Sequence, residues 1–135
     1  ALAKKLTENA KTDEEKIKAV YTYITRNIKY DYNRAKTVQS GYVPDVDAVL
    51  AANAGICYDY SAVMAAMLRS IDIPAKINMG YSKYITIYHA WNEVYLSSDD
   101  KWITIDTTYD SAYLTAGKTV NMIKNAVDFT TLKSY

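Results

Sequence analysis

Cysteine and histidine are each present only once in this chain of 135 residues, as Cys57 and His89. A single cysteine excludes an internal disulfide and a cysteine-rich metal site. With one cysteine and one histidine, a zinc ion would need carboxylates for its remaining ligands, which is a poor match to typical zinc sites. We therefore expect no bound metal.

Charge of one sign is not in excess, because 16 Lys and Arg residues face 15 Asp and Glu residues, for a net charge of +1. This balance gives no electrostatic reason to expect binding to nucleic acid or to an anionic membrane. Long hydrophobic runs are also missing. The longest, residues 62–68, is far too short to span a bilayer, so we predict no membrane-spanning segment.

Glycine and proline are scarce, with four and two residues, and the chain contains no internal repeat, low-complexity stretch or Pro/Gly-rich linker. We therefore predict one domain over residues 1–135, long enough to bury a core. The chain begins Ala-Leu-Ala without an initiator Met, so we expect it to be a segment of a longer protein that can carry further domains.

Apolar residues recur at helical spacing through the first half of the chain. Residues 13–28 form the clearest amphipathic pattern, and Thr12 and Glu15 before and within it have capping-box spacing. Residues 29–45 are predicted as a loop that begins with an aromatic cluster.

Two more helices are predicted before the strands begin. Asp45 can cap a short helix over residues 46–52, which Asn53 would end. The next helix runs over residues 57–71, and Pro74 prevents its continuation.

The pattern changes to alternation after Pro74, which predicts strands over residues 76–81, 88–96 and 102–107. Residues 97–100 read as a hairpin loop between the last two. Residues 119–129 are compatible with a helix or a strand, and we predict a helix. Helices first and strands afterwards indicate an α+β fold, with N-terminal helices packed on a C-terminal antiparallel sheet.

The lone cysteine lies within NAGICYDYSAVMAAML, residues 53–68, at the start of a predicted helix. A free cysteine on an apolar helix is often a small core residue. At the first turn, however, the unpaired N–H groups and the helix dipole favour a thiolate. Cys57 is therefore either a core residue or a nucleophile.

A nucleophilic thiol needs a base, and His89 is the one imidazole that the chain offers. A third residue usually orients the imidazole, and Asp106 is the natural candidate. If the hairpin pairs Leu96 with Asp99 or Lys101, His89 and Asp106 share one face of the sheet. A three-residue loop would place them on opposite faces.

The stretches GICYDYSAVMAAMLRSIDIPAKINMGY, HAWNEVYL and KWITIDTTYD follow one another in this order and resemble the core of the transglutaminase-like superfamily. The upstream VYTYITRNIKYDYN is similar to the lead-in helix of bacterial members. The resemblance covers residues 13–110 and implies a papain-like core with Cys57 as nucleophile, His89 as base and Asp106 as orienting acid. It implies no cofactor.

An oxyanion hole needs two donors, and the backbone N–H of Cys57 supplies one. The Gln or Trp that some family members carry shortly before the nucleophile is missing here. Tyr30, Tyr32 and the Asn53 amide are candidates for the second donor, although the two tyrosines fit core or groove packing equally well. Trp91, two residues beyond the histidine, either shields the site from water or packs in the core.

These residues predict acyl transfer on an amide of a peptide or protein substrate, through a Cys57 thioester. We favour hydrolysis by a peptidase or amidase, because no motif indicates an amine-acceptor site. Transfer to an amine, as in a cross-linking transglutaminase, is the alternative. A non-catalytic module that binds protein or glycan through a Tyr-rich face is another. The resemblance implies a bacterial protein exported to the cell surface, and a cytoplasmic location stays open.

Overall fold

The computed structural model describes residues 2–39 and 41–135. Its elements are, in chain order, α1 (Leu2–Thr7), α2 (Asp13–Asn27), β1 (Lys29–Tyr30), α3 (Tyr32–Thr37), α4 (Val46–Ala52), β2 (Ala54–Gly55), α5 (Cys57–Arg69), β3 (Ala75–Ser82), β4 (Ile85–Leu96), β5 (Lys101–Ile105), α6 (Thr107–Thr115) and β6 (Phe129–Ser134). None of the helices in these described ranges is long and apolar enough to cross a membrane.

The helices form one layer of the fold, and an antiparallel sheet forms the other. Within the described ranges its strand order is β5-β4-β3-β6, and β1 and β2 form a separate parallel pair. Helix α5 packs against β3 and β4. The predicted α+β fold, with N-terminal helices on a C-terminal antiparallel sheet, is confirmed.

The hydrophobic core lies between α5 and the sheet, with α2 packed against α5 on the helical side. Val63, Met64 and Leu68 of α5 are fully buried, as are Ile17 and Ile24 of α2. Each such side chain contributes about 1.5–3 kcal/mol on transfer out of water. Because Cys57 is the first residue of α5, the best-buried helix of the fold fixes its position.

Helix α2 begins at a complete capping box, as predicted. The Thr12 hydroxyl accepts the N–H of Glu15 at 3.1 Å, and the Glu15 carboxylate accepts the N–H of Thr12 at 3.3 Å. These bonds satisfy donors that the helix itself leaves unpaired. The helix ends at Asn27, one residue before the predicted end.

The predicted helix over residues 46–52 is confirmed as α4. Its N-terminus is capped by Asp45, whose carboxylate accepts the N–H of Ala48 at 3.2 Å. Asn53 ends the helix in the left-handed region, with φ of 53°. Asparagine tolerates this conformation better than most residues. The turn leads the chain directly into β2 and then α5.

The prediction of a loop over residues 29–45 is wrong for residues 29–30, which form β1, and for residues 32–37, which form α3. Residues 29 and 30 pair with β2, a contact between distant parts of the chain that local sequence patterns do not reveal. Asp31 then caps α3 by accepting the N–H of Arg34 at 2.9 Å. Aspartate is a common cap residue, but α3 has only six residues and none of them is buried.

The predictions beyond residue 105 also need correction. The strand predicted over residues 102–107 ends at Ile105, and α6 follows at once. The helix predicted over residues 119–129 is absent from that stretch, which holds an isolated bridge at Lys124, a 3-10 turn over residues 126–128 and the first residue of β6. Lys124 donates its N–H to Thr104 and pairs with buried Asp110. These tertiary contacts override the local helical pattern.

Candidate active site

Cys57 is the first residue of α5 and is half-buried. The parallel pair of β1 and β2 fixes the approach to it, because the Asp31 N–H donates to Gly55 O at 2.8 Å. Gly55 leaves room for Asp59, since a Cβ on Gly55 would lie 2.6 Å from the Asp59 Cβ. The predicted helix start at Cys57 is confirmed.

His89 and Asp106 meet across the hairpin of β4 and β5. Leu96 pairs with Lys101, which is one of the two registers that place both side chains on one face. Nε2 of His89 lies 2.8 Å from Oδ2 of Asp106, and both side chains are buried. The expectation of Asp106 inside a strand is wrong, because it follows β5 and caps α6 by accepting the N–H of Tyr109 at 3.1 Å.

The surroundings of His89 favour a charged ring. Burial acts to lower the pKa of His89, but hydrogen bonding to Asp106 and to Cys57, together with their negative charge, raises it from 6.5 to about 9. Since Asp106 engages Nε2, Nδ1 is the nitrogen left for the Cys57 thiol. An imidazolium beside a thiol at a helix start is the arrangement that stabilises a thiolate.

Two cavities meet at Cys57 and share Tyr30 and Ile87 in their walls. The smaller one, about 440 Å³, also contains His89 in its lining. The larger one, about 610 Å³, does not contain His89. Substrate groups can therefore lie on either side of the sulfur, and the imidazole faces one of the two sides.

The four other predicted site residues have different positions. Tyr30 lines both cavities and Tyr32 lines the smaller one, with their rings edge to face at 4.8 Å. Asn53 ends α4 and lines neither cavity. Trp91 is buried, lines neither cavity, and stacks on the His89 ring with centroids 6.3 Å apart.

Helix α6 supplies site residues that sequence reasoning missed. Thr108, Tyr109 and Ser111 line the smaller cavity from this helix. The sequence does carry a signal for the start of this helix, because Asp106 can cap it and Asp110 lies in its first turn. The alternating pattern of β5, which ends just before Asp106, obscured that signal. In the described part of the chain, no group of three or more His, Cys, Asp or Glu residues is placed to hold a metal ion.

Comparison with known proteins agrees with this arrangement. The model of the Transglutaminase-like superfamily matches residues 1–107. Human kyphoscoliosis peptidase is 29% identical over 120 residues, which cover 82% of this chain and 18% of that protein. A protein-glutamine gamma-glutamyltransferase of Pseudomonas aeruginosa is 31% identical over 78 residues, 49% of this chain and 12% of that protein. The chain therefore spans less than a fifth of the length of these curated relatives.

A crystal structure of a candidate cysteine protease from Cytophaga hutchinsonii has the same fold. It aligns with 99% of this chain and 44% of its own chain, with a TM-score of 0.68 and 22% identity. The family match covers most of the chain and includes Cys57, His89 and Asp106. The resemblance that the sequence motifs indicated is confirmed, and the chain belongs to the transglutaminase-like superfamily.

Proposed function

We propose that this chain catalyses cysteine-dependent acyl transfer on an amide of a peptide or protein, and that water is the acceptor. The observation that carries the proposal is the buried His89–Asp106 contact of 2.8 Å, at a cavity that both His89 and Cys57 line. A core cysteine would need no such imidazole. The names of the relatives, a peptidase and a glutamyltransferase, describe two forms of the same chemistry.

In the first half of the reaction, the Cys57 sulfur attacks the carbonyl carbon of the substrate amide. The His89 imidazolium gives its proton to the departing nitrogen, so the C–N bond breaks, an amine leaves and a thioester remains. In the second half, a water molecule attacks the thioester carbon while His89 takes its proton. The C–S bond then breaks, which releases a carboxylic acid and restores the thiolate.

Negative charge develops on the carbonyl oxygen during both attacks. We assign the backbone N–H of Cys57 as one donor to it, because the first turn of a helix leaves its N–H groups unpaired. We assign the Tyr30 hydroxyl as the second, since Tyr30 lines both cavities at the sulfur. Burial, and then the charge of Cys57, raise the pKa of Tyr30, which keeps its hydroxyl protonated.

The lining of the two cavities favours water over a lysine amine as acceptor. Among the described residues, no Asp or Glu lines either cavity, whereas Lys29 lines the one beside His89. A cation there disfavours entry of a second ammonium group. Transfer to an amine is the second candidate, supported by the name of the Pseudomonas aeruginosa relative.

Mass spectrometry after incubation with a peptide library and biotin-pentylamine tests the proposal. We expect new peptide termini without incorporated amine, and no products from the Cys57→Ala variant. Incorporated amine would favour the cross-linking reaction instead. Unchanged peptides with the unmodified protein would contradict both reactions and leave the non-catalytic module.

A further inference from the structure

The larger cavity has one wall that is not part of the helix–sheet core. We call this wall the arm and define it as residues 31–39 and 41–43. Val38, Tyr42 and Val43 of the arm face the cavity, and Met79 and Tyr88 line it from the sheet. The arm therefore forms one wall of the space on one side of Cys57.

The Tyr42 side chain ties the arm to the nucleophile helix. Its hydroxyl donates to Oδ1 of Asp59 at 2.5 Å. On its outer side it accepts a hydrogen bond from Nη1 of Arg34 at 3.2 Å, and the Arg34 guanidinium lies 5.6 Å from the ring centroid. These contacts run from the surface of the arm into the first turn of α5.

Asp59 is fully buried only two residues beyond Cys57. Its Oδ2 accepts the N–H of Ile56 at 2.9 Å, so the two carboxylate oxygens divide their roles between the helix start and the arm. A buried carboxylate that loses a partner carries a large desolvation cost. Asp59 therefore holds the Tyr42 hydroxyl against the first turn of α5.

Tyr42 stays a hydrogen-bond donor over the neutral pH range. Burial, hydrogen bonding to Asp59 and the charge of Asp59 outweigh the opposing effect of Arg34 and raise the pKa of Tyr42 to about 12. The contact does not depend on a proton that is lost near neutrality.

The position of His89 indicates which part of a substrate occupies the larger cavity. The imidazolium must reach the departing nitrogen, so the amine part lies in the smaller cavity, which His89 lines. The acyl part then lies on the opposite side of the sulfur, in the larger cavity.

We propose that Tyr42 is a positioning residue for the acyl part of the substrate, because its bond to Asp59 holds the arm as the wall of the larger cavity. The proposal rests on the proposed function. Tyr58, Met79 and Tyr88 give that cavity a largely apolar and aromatic lining. The matching substrate is a peptide with bulky apolar side chains on the acyl side of the cleaved bond.

A peptidyl chloromethyl ketone tests this, because the peptide of benzyloxycarbonyl-Leu-Phe-chloromethyl ketone lies on the acyl side when a cysteine is alkylated. The inhibition constant KI and the maximal rate kinact are measured for Tyr42→Phe. Iodoacetamide, which is too small to need the cavity, reports the reactivity of the thiol itself. Tyr95→Phe is the matched control, since Tyr95 also donates to a carboxylate, Asp100, but lines neither cavity.

We expect Tyr42→Phe to raise KI about tenfold, which corresponds to about 1.4 kcal/mol and lies near the worth of a hydrogen bond to a charged group. The value of kinact and the iodoacetamide rate stay within about twofold, since the bond acts on binding and not on the sulfur. Tyr95→Phe leaves all three values unchanged. An unchanged KI in folded Tyr42→Phe overturns the proposal, as does a parallel fall in the iodoacetamide rate.

Val43→Asp keeps the proposal testable if Tyr42→Phe does not fold. Val43 is 76% exposed and lines the larger cavity, so the fold tolerates the change while a charge enters the arm. We expect KI to rise without a change in the iodoacetamide rate, and an unchanged KI contradicts the arm as acyl wall. If iodoacetamide labels the wild-type protein but the rate of inactivation by the ketone does not saturate, the assignment of the acyl part to the larger cavity is overturned. The proposed function is not affected by that result. An unreactive wild-type thiol overturns the proposed function.

Discussion

His89 and Asp106 are joined by a contact of 2.8 Å between Nε2 and Oδ2, and the other carboxylate oxygen of Asp106 caps α6 through the N–H of Tyr109. The Asp106 side chain therefore orients the His89 imidazole and also caps the start of α6. An imidazole held at Nε2 keeps its other nitrogen directed to the thiol. The orientation of the candidate base thus depends on the end of β5 as well as on β4, the strand that carries His89.

Asp106→Asn separates the two roles of this side chain. An asparagine can still cap α6, but it carries no charge to stabilise the imidazolium. We expect the pKa of His89 to fall from about 9 in the unmodified protein to a lower value in the variant, because the charge of Asp106 no longer opposes the effect of burial. Since the chain has one histidine, a single NMR imidazole signal reports the titration.

Turnover in the Asp106→Asn variant should fall by several orders of magnitude, by analogy with neutralised triad carboxylates. Asp106→Ala also removes the cap, which costs about 1 kcal/mol of stability. If the NMR titration of His89 is the same with and without the carboxylate, Asp106 is a structural cap only.

The sequence was sufficient to predict the helices and strands that have strong internal periodicity. The capping box of Thr12 and Glu15, and the change of period after Pro74, are local signals, and the elements that they predict are present. The parity of the hairpin also allowed the sequence to place His89 and Asp106 on one face of the sheet, because turn type and loop length fix the register.

The rest of the site depends on contacts between distant residues. The pairing of β1 with β2, which directs the chain toward Cys57, involves residues 25 positions apart. The contact between Tyr42 and Asp59 joins an irregular segment to a helix, and no periodicity marks it. The bridge at Lys124 likewise replaced a predicted helix. Tertiary contacts of this kind override local propensity.

Stability should decrease as pH rises through the alkaline range. The pKa of His89 is about 9 in the folded protein against 6.5 ordinarily, so the folded state binds this proton more tightly. The contribution of this proton to stability is complete below about pH 6.5 and is lost as pH rises through about 9.

Urea unfolding at intervals of pH measures this dependence. In His89→Gln the slope of the free energy of unfolding between these pH values should be markedly flatter than in the unmodified protein. Equal slopes in the two proteins would mean that His89 gains no proton affinity on folding.

Lys124 and Asp110 form a second buried ion pair, behind the site. Nζ of Lys124 lies 2.6 Å from Oδ1 of Asp110, and the Tyr21 hydroxyl donates to Oδ2 at 2.7 Å. Burial raises the pKa of Asp110 despite these two partners. We expect Lys124→Met to lower the free energy of unfolding by about 3 kcal/mol, because it leaves the carboxylate without its cation.

The double variant with Lys124→Met and Asp110→Asn should be more stable than Lys124→Met alone, since it removes the uncompensated charge. Urea unfolding of the two variants and the unmodified protein gives the comparison. A loss below about 0.5 kcal/mol in the single variant, typical of surface changes, would refute a stabilising role of the pair.

The rate of Cys57 alkylation by iodoacetamide as a function of pH tests the catalytic pair most directly, and the chain has no other thiol to compete. In the unmodified protein, we expect alkylation to be already fast at pH 6 and to rise little toward pH 9, because a neighbouring imidazolium activates a cysteine nucleophile. In His89→Ala, we expect slow alkylation at pH 6 that recovers around pH 8.5, where a free cysteine ordinarily ionises. Coincident pH profiles in the two proteins would contradict the Cys57–His89 pair, and with it the proposed chemistry.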